Sequence, residues 1–124
     1  MKKILFVEDE SALQRAVSRV LTDEGYKMLS AMDGEAAITL AHEEHPDLIL
    51  LDLIIPKKDG FAILTELKQD KATADIPIVI LTNLEGSADI ERALMLGATT
   101  YLVKINYKLE EIVEKIKNIL EPAK

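Results

Sequence analysis

The chain contains no cysteine and no tryptophan, and three tyrosines and two phenylalanines are its only other large aromatic side chains. Without cysteine it can form neither a disulfide nor a thiolate metal site, which agrees with a reducing cytoplasm as its compartment. Positive charge is also short: 15 Lys and Arg stand against 22 Asp and Glu, a net charge of −7. Holding nucleic acid phosphates calls for clustered Lys and Arg, so direct nucleic acid binding is not expected. Long apolar runs are missing as well. Met1-Lys2-Lys3 followed by Ile4-Leu5-Phe6-Val7 starts like a signal peptide, but Glu8, Asp9 and Glu10 end the apolar stretch after four residues, and no other run approaches membrane-spanning length. There are four prolines and five glycines, and no segment is enriched in Pro, Gly or Ser, so neither disorder nor a linker is indicated. A single soluble domain over residues 1–124 is expected, and Met1 at the start with Pro122 directly after the last helical stripe suits a natural single domain.

What the sequence does have is alternation. Apolar runs of strand length alternate five times with stretches of helical period. Strands are expected near Lys3 to Val7, Lys27 to Ala31, Leu48 to Leu51, Ile78 to Leu81 and Tyr101 to Val103. Between them, helix faces are marked by Leu13, Ala16, Val17, Val20 and Leu21, then by Ala37, Ile38, Leu40 and Ala41, by Phe61, Leu64 and Leu67, and by Ile90, Ala93 and Leu94. The last stripe is the clearest: Leu109, Ile112, Val113, Ile116, Ile119 and Leu120, with Glu111 and Lys115 spaced for an i, i+4 pair. Gly25 and Gly97 follow helices, Asp33-Gly34 and Asp59-Gly60 precede them, and Pro46 and Pro77 sit just before strands. Strands one, three and four are apolar nearly throughout and belong at the centre, while Lys27, Ser30, Thr100 and Lys104 push strands two and five to the edges. Right-handed crossovers then favour an α/β fold of the flavodoxin-like (βα)5 kind, a parallel sheet of order 2-1-3-4-5 with helices on both faces.

In such a sheet the carboxyl ends of the central strands form the ligand crevice. Glu8 and Asp9 close the first strand, Asp52 the third, Thr82 the fourth, and Lys104 the fifth. Singly, each has a plainer explanation: a helix cap, a solvated turn, a surface lysine. Asp52 is less easily explained, because Leu53, Ile54 and Ile55 follow the apolar run before it and a buried unpaired carboxylate is costly. Three carboxylates in one crevice repel one another unless a cation neutralises them. Mg2+ suits an all-oxygen set, and no Cys or suitably placed His is available for a softer metal. Its charge, with that of Lys104 and the Thr82 hydroxyl as a neutral donor, would offset the charge on a phosphoryl group transferred to Asp52.

With these residues in order, the chain resembles the receiver domain of bacterial response regulators, the phosphoacceptor half of two-component signalling, from about Lys2 to Leu120. Val7-Glu8-Asp9 looks like the acidic pair, and the segment from Leu51 through Asp52 to Pro56-Lys57-Lys58-Asp59-Gly60 like the phosphorylation-site loop. Ile80-Leu81-Thr82 looks like the switch threonine, and Gly97 to Lys104 supplies the switch aromatic Tyr101 and the lysine. The resemblance implies a signalling domain rather than an enzyme, in which Asp52 takes a phosphoryl group from a phosphohistidine on a histidine kinase or phosphotransfer protein. It implies Mg2+ bound by Asp9, Asp52 and the backbone carbonyl of Ile54, and by Glu8 through water. It further implies that Thr82 and Tyr101 move on phosphorylation and reshape the face of helix four, strand five and helix five for an output protein. Kinase docking would fall on Ser11, Leu13, Gln14, Arg15 and Ser18.

Several positions depart from the family pattern. Ile105 stands where proline with a cis bond is usual, and a non-proline cis bond costs roughly 2.5 to 4 kcal/mol, so a trans Lys104-Ile105 bond is expected. Ile54 and Leu84 replace polar side chains that help position an attacking water, so a long-lived phosphorylated state is expected, and Asn83 narrows entry to the site. His42 and His45 have metal-like spacing but belong on the surface far from the carboxylates, and Met28, Met32 and Met95 are expected to pack. Two competing readings follow. A phosphohydrolase with an aspartyl-phosphate nucleophile often carries a second Asp two residues on as general acid, a role Ile54 cannot fill. A phosphorylation-independent interaction module of the same fold would leave the protein unlabelled by a phosphodonor.

Overall fold

The computed structural model describes residues 1–121, so Pro122 lies outside the described residues. The apolar runs form β1 (Lys3–Val7), β2 (Lys27–Ala31), β3 (Leu48–Leu51), β4 (Ile78–Thr82) and β5 (Thr100–Val103). Between and after them lie α1 (Ser11–Asp23), α2 (Gly34–Glu44), α3 (Gly60–Gln69), α4 (Ser87–Met95) and α5 (Leu109–Leu120), with a single 3-10 turn at Lys104–Asn106. The strands are parallel and ordered β2-β1-β3-β4-β5, the flavodoxin-like arrangement expected from the crossover rules. The first three strands start and stop where the apolar runs do. β4 and β5 each reach one residue further, to Thr82 and Thr100, because both threonines take part in the ladder (Thr82 opposite Val103, Val79 opposite Thr100). A β-branched hydroxyl residue suits a strand even where an apolar count stops short of it.

The central strands read as continuous apolar runs because successive side chains serve two different cores. Leu5, Val7, Ile49, Leu51, Ile78 and Ile80 pack with Ala37 and Ala41 of α2, Phe61, Ile63, Leu64 and Leu67 of α3, and Ala93 of α4. Their neighbours Ile4, Phe6, Leu48, Leu50, Val79 and Leu81 pack with Val17 and Leu21 of α1 and Ile112, Val113, Ile116 and Leu120 of α5. The helix after β1 therefore covers one face and the helix after β3 the other. This places the switch point of the sheet, where ligands bind in open α/β folds, between the ends of β1 and β3.

Helix ends follow the sequence punctuation. Asp33 and Asp59 cap α2 and α3 by accepting the N–H of Ala36 at 2.9 Å and of Phe61 at 3.0 Å. Gly97, just beyond α4, takes φ = 111°, which glycine adopts without strain. Two surface expectations fail. Glu111 turns back to accept the Lys108 N–H at 2.8 Å, capping α5 rather than pairing with Lys115. Met32 and Met95 are 44% and 87% exposed, so only Met28 packs against a core; Met95, the last residue of α4, lies off the face that Ala93 buries.

Candidate functional site

β1 and β3 end side by side, with Val7 opposite Leu51, and the Asp52 N–H donates to the Val7 carbonyl at 3.1 Å. This register carries Glu8, Asp9 and Asp52 into one crevice, where one oxygen of each lies within 4.8 Å of the others. Glu8 and Asp52 are buried, 1% and 4% exposed, while Asp9 faces solvent. Lys104, delivered by the end of β5, extends its ammonium between the two buried acids, 2.7 Å from Glu8 Oε1 and 2.8 Å from Asp52 Oδ2. The Lys104–Ile105 bond is trans, as the missing proline led us to expect, and no cis peptide occurs among the described residues. The lysine still reaches both carboxylates, while Ile105 stands 73% exposed in the middle of the 3-10 turn.

Both acids are held by backbone amides as well. Asp52 Oδ1 accepts the Ile54 N–H at 3.0 Å, and Glu8 Oε2 accepts the Glu10 N–H at 3.0 Å. The loop carrying Ile54 is fixed by the Gly60 N–H donating to the Leu53 carbonyl at 3.1 Å. A Cβ on Gly60 would lie 2.3 Å from Leu53 Cα, so glycine here permits the close return of the loop onto the strand end. Burial pushes the Glu8 carboxyl above its usual range, an effect that Lys104 and the Glu10 N–H partly offset. Burial alone would lower the Lys104 pKa, but Asp52 and Glu8 outweigh it and hold the ammonium above its usual range.

One cation does not balance three carboxylates. Glu8 Oε1 is buried close to the ammonium yet off the direction of a hydrogen bond, so it keeps acceptor capacity. An all-oxygen donor set with spare acceptors and excess negative charge fits a hard divalent cation. His42 and His45 are well apart from this cluster. Their imidazoles pair with Asp70 at 3.3 Å and Asp75 at 3.4 Å on the surface, as the topology led us to expect.

Thr82 ends β4 fully buried, and its hydroxyl lies 3.5 Å from the Leu84 N–H. Tyr101, half-buried on β5, donates its hydroxyl to the Leu84 carbonyl at 2.7 Å, and burial, helped by the charges of Asp89 and Asp52, pushes its pKa up to about 12. Thr82 and Tyr101 thus meet through the backbone of Leu84, a link the sequence did not reveal because it uses no Leu84 side-chain atom. Leu84 and Ile54, both half-buried or exposed, place apolar side chains at the strand ends where polar ones would be needed to orient water.

Gln14 requires a correction. It is not on a docking face beside Leu13: it is 9% exposed, and its side-chain amide donates to the carbonyls of Glu8 at 3.1 Å, Ala31 at 3.3 Å and Phe6 at 3.4 Å. The signal was present in the spacing, since Gln14 lies three residues before Val17 and seven before Leu21, the other buried positions of α1.

The fold and this crevice have clear relatives. The chain matches the response regulator receiver domain over residues 4–117. It is 40% identical over 119 residues to the probable transcriptional regulator ycf27 of Cyanophora paradoxa, covering 96% of this chain and 48% of that protein. The chain spans about half the length of the curated relatives it matches. The crystal structure of the Mn2+-bound form of response regulator Rcp1 superposes with a TM-score of 0.88 at 34% identity, covering 100% of this chain and 98% of that one. The receiver domain of the sensor histidine kinase PA1611 from Pseudomonas aeruginosa, with a magnesium ion coordinated in its active site cleft, superposes with a TM-score of 0.84 at 29% identity, covering 94% and 95% of the two chains. No helix among the described residues is long and apolar enough to cross a membrane. The chain belongs to the response regulator receiver domain family, the phosphoacceptor signalling modules of two-component systems rather than classical enzymes.

Proposed function

We propose that this domain accepts a phosphoryl group on Asp52 from the phosphohistidine of a histidine kinase or histidine phosphotransfer protein. The observation that carries this reading is the state of Asp52: nearly buried, one oxygen held by the Ile54 N–H and the other by Lys104. A carboxylate oxygen of Asp52 forms a bond to phosphorus as the phosphorus–nitrogen bond to the donor imidazole breaks; the bonding pair stays on that nitrogen, and a proton already on the other ring nitrogen lets the imidazole leave neutral. Lys104 follows the charge from the carboxylate to the phosphoryl oxygens, and its second contact with Glu8 keeps it in the crevice while it does so. Asp9, Asp52 and the Ile54 carbonyl would hold Mg2+, with Glu8 acting through water. The ion would supply the positive charge that the transferred group requires.

Thr82 and Tyr101 form the switch in this reading. The contact of the Thr82 hydroxyl with the Leu84 N–H, at 3.5 Å, is long and easily exchanged for a phosphoryl oxygen. Because Tyr101 holds the carbonyl of the same residue, movement there passes to β5 and to the start of α4, and the surface of α4, β5 and α5 becomes the output. With a net charge of −7 the domain is suited to a protein partner rather than to nucleic acid. Residues 1–124 act as a single receiver domain, and a cytoplasmic location follows from its donors.

The test is incubation with Mg2+ and a small phosphodonor, read by intact mass. Wild type is expected to gain one phosphoryl group, and both Asp52→Asn and removal of Mg2+ by chelation are expected to abolish the gain. An unlabelled wild type would instead favour a phosphorylation-independent interaction module.

A further inference from the structure

We infer that Gln14 is a positioning residue for the acidic pair: by tying the end of β1 to the end of β2, its side-chain amide sets where Glu8 and Asp9 stand relative to Asp52. This inference rests on the reading of the crevice as a divalent-metal and phosphoryl site. β1 stops pairing at Val7, and beyond it the backbone must turn into α1 within three residues, at Ser11. The Glu8 N–H still donates to Ala31 at 3.0 Å, but no protein donor other than Gln14 reaches the Glu8 carbonyl among the described residues. The two amide protons of Gln14 are shared among the carbonyls of Glu8, Ala31 and Phe6, so a single side chain joins β1 and the last residue of β2 to the residue bearing the first carboxylate. Glu8 is then held at its N–H, its carbonyl and both carboxylate oxygens.

A buried amide on α1 is costly unless its hydrogen bonds are made, and here they are made to Phe6 and Glu8 at the strand end that carries the acidic pair and to Ala31 beside it on β2. Removing the donors leaves the Glu8 carbonyl buried and unpaired. The turn then relieves the penalty by rotating toward water, and Glu8 and Asp9 move with it. Outer-sphere groups that orient metal ligands cost about 10- to 100-fold in affinity when lost.

The test is Mn2+ binding to the full chain at about pH 8, where a histidine side chain is neutral, followed by the electron paramagnetic resonance signal of free Mn2+. Gln14→Met keeps the volume without the donors and is expected to weaken binding about tenfold or more. Gln14→His, which returns one neutral N–H at similar reach, is expected to recover much of the loss. Gln14→Ser admits water to the carbonyl, protecting the fold, but a water does not bridge Phe6 and Glu8 to Ala31 as the amide does, so this variant is also expected to bind more weakly than wild type. A purely structural role would lower the unfolding temperature of these variants and leave the Mn2+ affinity unchanged. Wild-type affinity in Gln14→Met or Gln14→Ser, or a Gln14→His protein as weak as Gln14→Met, would overturn the inference. A wild type that binds no Mn2+ would overturn the metal reading beneath it, an outcome separable because the positioning claim fails only in the variants.

Discussion

The two ends of the sheet carry charge in opposite ways. At the carboxyl ends of the strands, Glu8, Asp52 and Lys104 form one buried group in which a single ammonium serves two acids and backbone amides hold the remaining oxygens. At the amino ends and the adjoining helix ends, Lys3 pairs with Glu44, His42 with Asp70 and His45 with Asp75, each pair one-to-one and a third or more exposed. The number of side-chain pairings does not distinguish these regions. Burial and shared partners do, because exposed pairs are screened and contribute little whereas a buried charge must be matched.

Removal of the shared cation should have the largest effect. Lys104→Met leaves two buried carboxylates facing each other and is expected to cost about 3 kcal/mol in metal-free denaturant unfolding, with part of the loss recovered on adding Mg2+. A cost no greater than that of a surface lysine would remove the contrast between the two ends. A smaller effect is expected at the rim. Ile54→Asn with Leu84→Glu supplies groups able to orient water, so the phosphorylated form of wild type should outlast that of the double variant severalfold in a phosphodonor washout.

Alkaline titration compares the ends directly. Tyr101 near the crevice and Tyr26 at the other end, whose hydroxyl donates to Glu121, are both pushed up to about 12, chiefly by burial. The fold favours the neutral phenol in each, so this stabilisation is complete below the unfolded value of 10.0 and is lost as pH rises from 10.0 toward about 12. In tyrosinate absorbance, Asp52→Asn should bring the Tyr101 step slightly earlier and leave the Tyr26 step in place, since Asp52 acts on Tyr101. Smallest of all, His42→Gln and His45→Gln should each change stability by less than about 0.5 kcal/mol and leave phosphoryl labelling untouched.

The sequence made the scaffold and the charged members of the crevice legible because both depend on where apolar runs stop. Glu8, Asp52 and Lys104 interrupt such runs, and strand order then brings them together. Gln14 was legible only in part: its spacing with Val17 and Leu21 turns it inward, but its acceptors are backbone carbonyls of two strands, which no side-chain pattern marks. The Leu84 link between Thr82 and Tyr101 was hidden, being made of main-chain atoms that every residue has. Met95 and the Glu111 cap show the limit of composition on the surface, where side-chain direction decides and sequence spacing only permits.

The most direct measurement of the central claim is the location of the label. The domain is treated with Mg2+ and a small phosphodonor, reduced with borohydride to convert an aspartyl phosphate to homoserine (a glutamyl phosphate would give the alcohol one methylene longer), and its peptides are sequenced by mass spectrometry. Homoserine at position 52 alone is the expected result; reduction at Asp9, Glu8 or the aspartates paired with His42 and His45, with position 52 unchanged, would contradict the account.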